Sequence, residues 1–243
     1  MNELVVYGIV ALVALLASTL AAVAGFGGAV ILLPVLVWAF GIRDAVPILT
    51  VTQLAGNLSR VWLNRNEIDL PVVRWFALGA VPAAVIGGVI FATAPAAALS
   101  RILGVFLLLT FVYRRTPWQG RLRVTLPAFL PLGAAFGLLS ALVGSVGPLM
   151  APFFLSYGLV RAAYIGTEAL STVVMHVTKL GVYGGYSLLS GRAVLVGVAL
   201  GAVMFVGSYL GRTILNRVPE SAFPLIIDGV LVAAGILLLT GIT

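Results

Sequence analysis

The sequence predicts an all-α integral membrane protein with eight full-length transmembrane helices and two short half-helices, arranged in two pseudo-symmetric halves. Hydrophobic residues make up 62% of the chain and charged residues only 9%, whereas soluble domains carry about 25% charged residues. Ten apolar segments follow one another along the 243 residues. Glycine and proline interrupt two of them, at corresponding places in the two halves.

The composition excludes several classes of function. The net charge of +7 comes from arginines that lie mostly in short links between apolar segments. The positive-inside rule accounts for that placement, so the charge does not indicate nucleic-acid binding. The chain has no Cys, which excludes disulfides, thiol catalysis and Cys-ligated metals. With one His and seven scattered acidic residues, neither a metal site nor a cofactor is expected.

Most of the apolar segments are long enough to cross a hydrocarbon core of about 30 Å. The first lacks a basic leader and is interpreted as a transmembrane helix rather than a signal peptide. The second and the seventh are too short to span and are interpreted as half-helices whose Gly-rich N-terminal ends lie below the membrane surface. The ten segments are residues 4–23, 29–40, 45–63, 72–91, 97–112, 124–142, 148–157, 162–186, 193–215 and 222–239.

Each half-helix follows a glycine-rich break, Gly25-Phe26-Gly27-Gly28 in the first half and Gly144-Ser145-Val146-Gly147 in the second. Non-helical backbone at membrane depth is tolerated only where protein or a water-filled cavity surrounds it. One such break is a weak signal because glycines also serve helix packing. Two breaks at corresponding positions indicate a transporter site.

The chain divides into a first repeat (residues 1–113), a basic cytoplasmic linker (114–123) and a second repeat (124–243). We interpret the repeats as an internal duplication, because landmarks in the two halves keep nearly constant separations of 117 to 125 positions. Chance spacing among the 28 glycines is the alternative. The landmarks are Gly28 and Gly147, Pro34 and Pro152, Gly41 and Gly158, and Gly104 and Gly229.

Charge counting predicts the orientation. If each segment reverses the chain direction, ten arginines fall at one face and three at the other, which predicts a cytoplasmic basic face, both termini outside, and inverted repeats. If the short segments only dip into the membrane, the repeats are parallel instead. The ten are Arg60, Arg65, Arg74, Arg114, Arg115, Arg121, Arg123, Arg161, Arg212 and Arg217, and the three are Arg43, Arg101 and Arg192.

Two polar stripes follow the half-helices and are the candidate substrate pathway. Spacings of three and four residues place the members of each stripe on one helix face. Interhelical hydrogen bonding is the alternative role for these side chains. The first stripe is Thr50, Gln53, Asn57 and Arg60, and the second is Glu168, Ser171, Thr172, His176, Lys179 and Tyr183.

Three ionisable residues of the second stripe have two open roles each. Glu168 is a candidate proton carrier, or a structural hydrogen-bond partner of another helix, because a charge at membrane depth is costly. Lys179 is a candidate coupling residue, or reaches the surface by snorkelling. His176 relays protons or donates to an anion, or is a packed polar residue. Asp228 has no partner that the sequence reveals.

Helix N-termini offer partial positive charge and unpaired N–H groups, so two half-helix tips predict a site for a small anion. Arg60 and Lys179 add positive potential and, with Glu168, are the candidate coupling residues. The candidate substrate-binding residues are Gly25, Gly27, Gly28, Thr50, Gln53, Asn57, Gly144, Ser145, Gly147, Thr167, Ser171 and His176.

Two motifs resemble those of the TauE/SafE family of membrane permeases, and the likeness covers nearly the whole chain. They are Gly25-Phe26-Gly27-Gly28-Ala29 with Leu33-Pro34, and residues 64–69. Ala29 stands where the family pattern has a further glycine, and Gly144-Ser145-Val146-Gly147-Pro148 departs more. The resemblance implies an exporter of sulfite or small organosulfur anions in the bacterial inner membrane, driven by the proton gradient or the membrane potential.

The expected function is therefore secondary transport of a small anion, not catalysis, because no nucleophile stands beside a base. The partners are the anion, the lipid bilayer and protons as coupling ion, with no nucleic acid, and a homo-oligomer stays open. A passive anion channel, an uptake permease for a different anion and a non-transporting membrane scaffold are the alternatives. Flux that does not depend on pH would favour the channel.

Overall fold

The computed structural model describes residues 2–24, 28–116, 123–214 and 222–240. Within these residues the chain has ten α-helices, two short 3₁₀ turns and no strand, which confirms the all-α prediction. The helices are α1 (Glu3–Ala24), α2 (Gly28–Phe40), α3 (Ile42–Leu63), α4 (Leu70–Thr93), α5 (Ala96–Arg115), α6 (Phe129–Val143), α7 (Gly147–Ser156), α8 (Arg161–Gly185), α9 (Gly191–Ile214) and α10 (Ala222–Thr240).

In the part of the chain that the structure describes, four stretches are long and apolar enough to cross a membrane. Shorter apolar helices among the described residues include α2 and α7, with 13 and 10 residues. The count of eight full-length spans and the symmetry of the halves stay predictions. The four stretches are Leu70–Thr93, Ala96–Tyr113, Leu126–Val143 and Gly191–Leu210.

Both half-helices are short for local reasons. Pro34 lies inside α2 and Pro152 inside α7, and a proline removes one intrahelical hydrogen bond. Each half-helix is followed by a glycine with positive φ, Gly41 at +74° and Gly158 at +107°. Glycine adopts this conformation without the cost that a Cβ imposes, and it commonly ends a helix.

The helices group into two compact units that do not follow the order of the chain. Unit 1 is Met1–Thr52, Pro95–Arg115 and Ser190–Thr243, and unit 2 is Gln53–Ala94 and Thr116–Leu189. Helix α5 continues to Arg115, two residues beyond the predicted end of the first repeat. Most of the predicted linker, residues 117–122, lies outside the described residues, and the repeat boundaries stay predictions.

Unit 1 is held by close packing of α1 on α9 and of α5 on α10. The Thr19 hydroxyl donates to the Gly207 carbonyl at 3.1 Å, which joins α1 to α9. Asp228, whose partner the sequence did not reveal, is buried on α10 and pairs with Arg115 of α5. Both Nε and Nη2 of Arg115 lie 2.9 Å from Asp228 Oδ2.

Unit 2 is built around the contact of α4 with α6, where glycines allow the two backbones to approach. A Cβ added at Gly133 would overlap the carbonyl oxygen of Phe76, and one at Gly79 would overlap that of Leu130. Close approach through small residues is a usual means of helix association in membranes, where the hydrophobic effect does not drive it. The ring of Phe154 on α7 packs beside those of Phe76 and Phe129, at 5.9 and 5.0 Å between centroids.

Gly133→Ala is expected to lower the free energy of unfolding by about 2 kcal/mol, because the new methyl group forces α4 and α6 apart. Gly181→Ala is the matched control. A Cβ at Gly181 meets nothing within 4 Å on exposed α8 surface, and alanine favours a helix over glycine by about 1 kcal/mol. Unfolding in mixed micelles measures both, and equal stability of the two variants would contradict the packing role of Gly133.

Candidate functional site

The candidate site lies in unit 2 at the break between α6 and α7, residues 144–146. Gly144 ends α6 with φ at +84° and donates its N–H to Ser140 O at 2.9 Å. Pro148 stands in the first turn of α7, where its missing N–H costs no hydrogen bond. The chain thus leaves one helix and begins another within three residues, and all three of these residues are buried.

Lys179 of α8 satisfies the C-terminal end of α6. Its side chain is fully buried, and Nζ donates to Ser140 O at 3.0 Å, to Ser140 Oγ at 2.9 Å and to Gly144 O at 2.7 Å. An ammonium has three N–H donors, so all are used. The alternative that Lys179 snorkels to the membrane surface is wrong. A cation is favourable at this position because a helix C-terminus carries partial negative charge.

Tyr183, one helical turn further along α8, extends this arrangement. Its hydroxyl donates to Ala141 O at 2.5 Å, and the side chain is fully buried. Two side chains of α8 therefore bind three carbonyls near the end of α6. Carbonyls of a helix end have no partner within the helix, and in lipid an unsatisfied group costs several kcal/mol.

Glu168, at the other end of the stripe, lies beside the N-terminus of α7. A Cβ built on Gly147 would stand 3.6 Å from Glu168 Oε1, so the carboxylate lies next to the first residue of α7. Thr172 Oγ1 donates to the same oxygen at 3.2 Å, and Arg60 Nη1 lies 3.9 Å from Oε2. Glu168 is buried, whereas the side chain of Arg60 is 52% exposed.

The two ends of the break are thus matched to opposite charges on a single helix. The ammonium of Lys179 serves the negative end of α6, and the carboxylate of Glu168 lies at the positive end of α7. Each charge is favourable at the end it approaches.

His176 lies between these two residues on the same face of α8 and is only 1% exposed. Among the described residues, neither Nδ1 nor Nε2 of His176 has a hydrogen-bond partner. Helical periodicity predicts that His176 faces the break as Glu168 and Lys179 do. A buried polar group without a partner is rare and calls for an explanation.

Helix α3 adds a polar side chain to the break. Gln53 Nε2 donates to Ser145 Oγ at 3.2 Å, so the predicted binding residues Gln53 and Ser145 are in contact. Asn57 is buried, and its amide donates to Gln53 O at 3.0 Å within α3. The structure therefore pairs Gln53 with Ser145, and it places Glu168 between Gly147 and Arg60.

Other predicted residues make local or structural bonds. Ser171 Oγ donates to Thr167 O at 2.8 Å within α8, and Thr167 Oγ1 accepts the N–H of Asp69 at 2.9 Å. Thr50 belongs to unit 1 and donates to Val46 O at 2.7 Å. Gly28 begins α2 in unit 1. Gly25 and Gly27 lie outside the described residues.

Two residues that support the site, Ser140 on α6 and Thr172 on α8, were missed by the sequence-based prediction. Ser140 supplies two of the three acceptors of Lys179, and Thr172 holds the carboxylate of Glu168. Thr172 was available as a member of the second polar stripe. Ser140 stands alone in the apolar sequence of α6, and only its four-residue spacing from Gly144 could have indicated a role.

Apolar helices that are long enough to span a bilayer, with a buried polar break in one unit, define a multi-pass helical membrane protein. A sequence profile of the family described as sulfite exporter TauE/SafE matches residues 10–238. The chain therefore belongs to the sulfite exporter TauE/SafE family, a family of membrane transporters, and the resemblance found in its glycine motifs is confirmed. Searches of curated proteins and of solved structures found no match.

Proposed function

We propose that the protein exports a small anion, sulfite or a small organosulfur anion, across the bacterial inner membrane by alternating access. Family membership supports the class of transporter and the kind of substrate. In this proposal both termini face outward, and the anion is the only partner besides the bilayer and the coupling proton. No cofactor or metal takes part.

The observation that carries the proposal is the polar break in unit 2. The N-terminus of α7 carries partial positive charge, and Glu168 of α8 lies beside it. About two turns further along α8, His176 is fully buried and has no partner among the described residues. A compact anion at this point would accept from the helix N-terminus, from the Ser145 hydroxyl and from one nitrogen of His176. The contribution predicted for Gly25, Gly27, Gly28 and Thr50 stays part of the proposal.

The pattern of helix contacts supports the duplication on which alternating access depends. If the two sets of five helices correspond in order, α1 corresponds to α6 and α4 to α9. In unit 1, α1 packs on α9 and on α2. In unit 2, α6 packs on α4 and leads through the break into α7. Each unit therefore combines helices from both predicted repeats, as repeats that exchange helices would.

Glu168 carries the coupled proton in this proposal, with the membrane potential as the alternative driving force. Its carboxylate is buried, and its cationic neighbour among the described side chains is the half-exposed Arg60. An ionisable side chain at membrane depth is costly and marks a proton or ion pathway more often than a packing role.

Purified protein in liposomes provides the test. Preloaded sulfite is expected to leave these liposomes faster than it leaves sulfite-loaded liposomes without protein. Its efflux is also expected to exchange with external sulfite and to respond to an imposed pH gradient. Glu168→Gln is expected to lose the response to the gradient and to keep exchange. Glu67→Gln, an exposed carboxylate in the same unit, is the control that keeps both.

Two outcomes would contradict this scheme. Sulfite flux that is equal with and without the pH gradient, and that shows no exchange, would favour the passive channel. Equal sulfite flux in liposomes with and without the protein would contradict transport of this anion.

A further inference from the structure

We propose that Glu168 is a tethered competitor of the substrate: its carboxylate occupies the place at the N-terminus of α7 that the transported anion must take. The inference rests on the proposed function and concerns how the same site is regulated. It assigns Arg60 the role of an alternative partner that receives the carboxylate when the anion binds.

The position of the carboxylate is the first support. Glu168 Oε1 is the atom that a Cβ at Gly147 would meet, at 3.6 Å. Pro148 has no N–H, and Leu149 and Met150 donate theirs to Val146 O. An anion bound to the Gly147 N–H would need the same space and the same positive end of α7. Two negative charges at one helix end also repel each other strongly in a buried site. Substrate and ionised carboxylate therefore exclude each other.

The second support is the loose contact of the carboxylate with Arg60. Arg60 Nη1 lies 3.9 Å from Glu168 Oε2, whereas a tight bond between these groups measures about 2.8 Å. The guanidinium is half exposed, so it is free to move toward the carboxylate. A short displacement of Glu168 would close this ion pair and vacate the α7 end.

The remaining bond fixes the carboxylate in the competing position. Thr172 Oγ1 donates to Oε1 at 3.2 Å from one turn along α8. His176, about two turns further along α8, is buried without a partner among the described residues, so it can turn a nitrogen toward the arriving anion after Glu168 has moved. Lys179 has all three donors engaged at α6 and takes no part in the exchange.

The test is titration of purified protein with sodium sulfite, followed by isothermal calorimetry at one pH. Glu168→Gln keeps the size and the hydrogen-bonding capacity of the side chain but removes its charge. We expect it to bind sulfite about tenfold more tightly, because an occupied competitor reduces apparent affinity by the fraction of free sites. Thr172→Val keeps the charge but releases the carboxylate, and it is expected to tighten binding as well.

Arg60→Gln is expected to change the sulfite affinity in the opposite direction. Without its alternative partner the carboxylate stays at α7, so sulfite is expected to bind more weakly than to the wild type. The double variant R60Q/E168Q is expected to bind as tightly as E168Q, because no competitor is left to be moved. Glu67→Gln removes one exposed carboxylate from the same unit and is expected to leave the affinity unchanged.

Each other result overturns the inference. If the wild type binds sulfite and E168Q binds no more tightly, Glu168 does not compete, although the proposed function stands. If the double variant binds as weakly as R60Q, Arg60 contacts the anion itself and is not a partner for displaced Glu168. If neither the wild type nor E168Q binds sulfite, the proposed function fails and this inference with it.

Discussion

Lys179→Met is expected to lower the free energy of unfolding by about 3 kcal/mol. The ammonium is fully buried and donates to Ser140 O, Ser140 Oγ and Gly144 O. Methionine matches its length but donates nothing. The carbonyl of Gly144 then loses its charged partner inside the protein, and removing one partner of a buried charged interaction costs more than replacing both partners.

The measurement is unfolding of the purified variant in mixed micelles, together with hydrogen exchange of the backbone. Exchange is expected to rise at the end of α6, around Ser140 and Gly144, before it rises elsewhere. Arg74→Met is the control, because Arg74 is an exposed cation on α4 of the same unit. If K179M is as stable as R74M, Lys179 does not hold the end of α6.

His176→Leu is expected to separate stability from binding. Leucine removes two buried nitrogens that have no partner among the described residues, so the free energy of unfolding is expected to stay constant or to rise by about 1 kcal/mol. Sulfite affinity is expected to fall at least about tenfold, because leucine cannot donate a hydrogen bond to the anion. A hydrogen bond to a charged group is worth about 1.5–3 kcal/mol.

Thermal unfolding and sulfite titration on the same preparation check both parts. His176→Gln retains a donor and an acceptor and is expected to recover part of the affinity. Met175→Leu, fully buried on the adjacent position of α8, is the matched control for a change of apolar shape and is expected to bind normally. A loss of stability in H176L with unchanged affinity would make His176 a packing residue.

The helices themselves follow from the sequence with little ambiguity. All ten apolar segments correspond to helices, and the two shortest segments are the two shortest α-helices. Proline inside a short apolar run and glycine at its end are local causes, so a local pattern predicts them. The shared face of Glu168, Thr172, His176 and Lys179 follows from helical periodicity for the same reason.

The partners of the polar side chains do not follow from periodicity. Thr167 and Ser171 are both hydroxyl residues, one turn apart on α8. Ser171 bonds within its own helix, whereas Thr167 accepts the backbone N–H of Asp69 from another element. Asp228 finds Arg115, 113 positions away. Which side chain a polar group meets depends on how neighbouring helices are rotated and how closely they approach, and this depends on packing over the whole unit.

For this protein the sequence alone determined the membrane class, the order of the helices, the glycine-containing break between α6 and α7 and the family, because composition, periodicity and short motifs are properties of the chain itself. The tertiary structure alone decided that Lys179 holds the end of α6 and that Glu168 stands at the start of α7. Those roles arise when α8 packs against the break with one particular rotation. The periodicity of a helix shows which of its residues share a face but not which neighbours that face contacts.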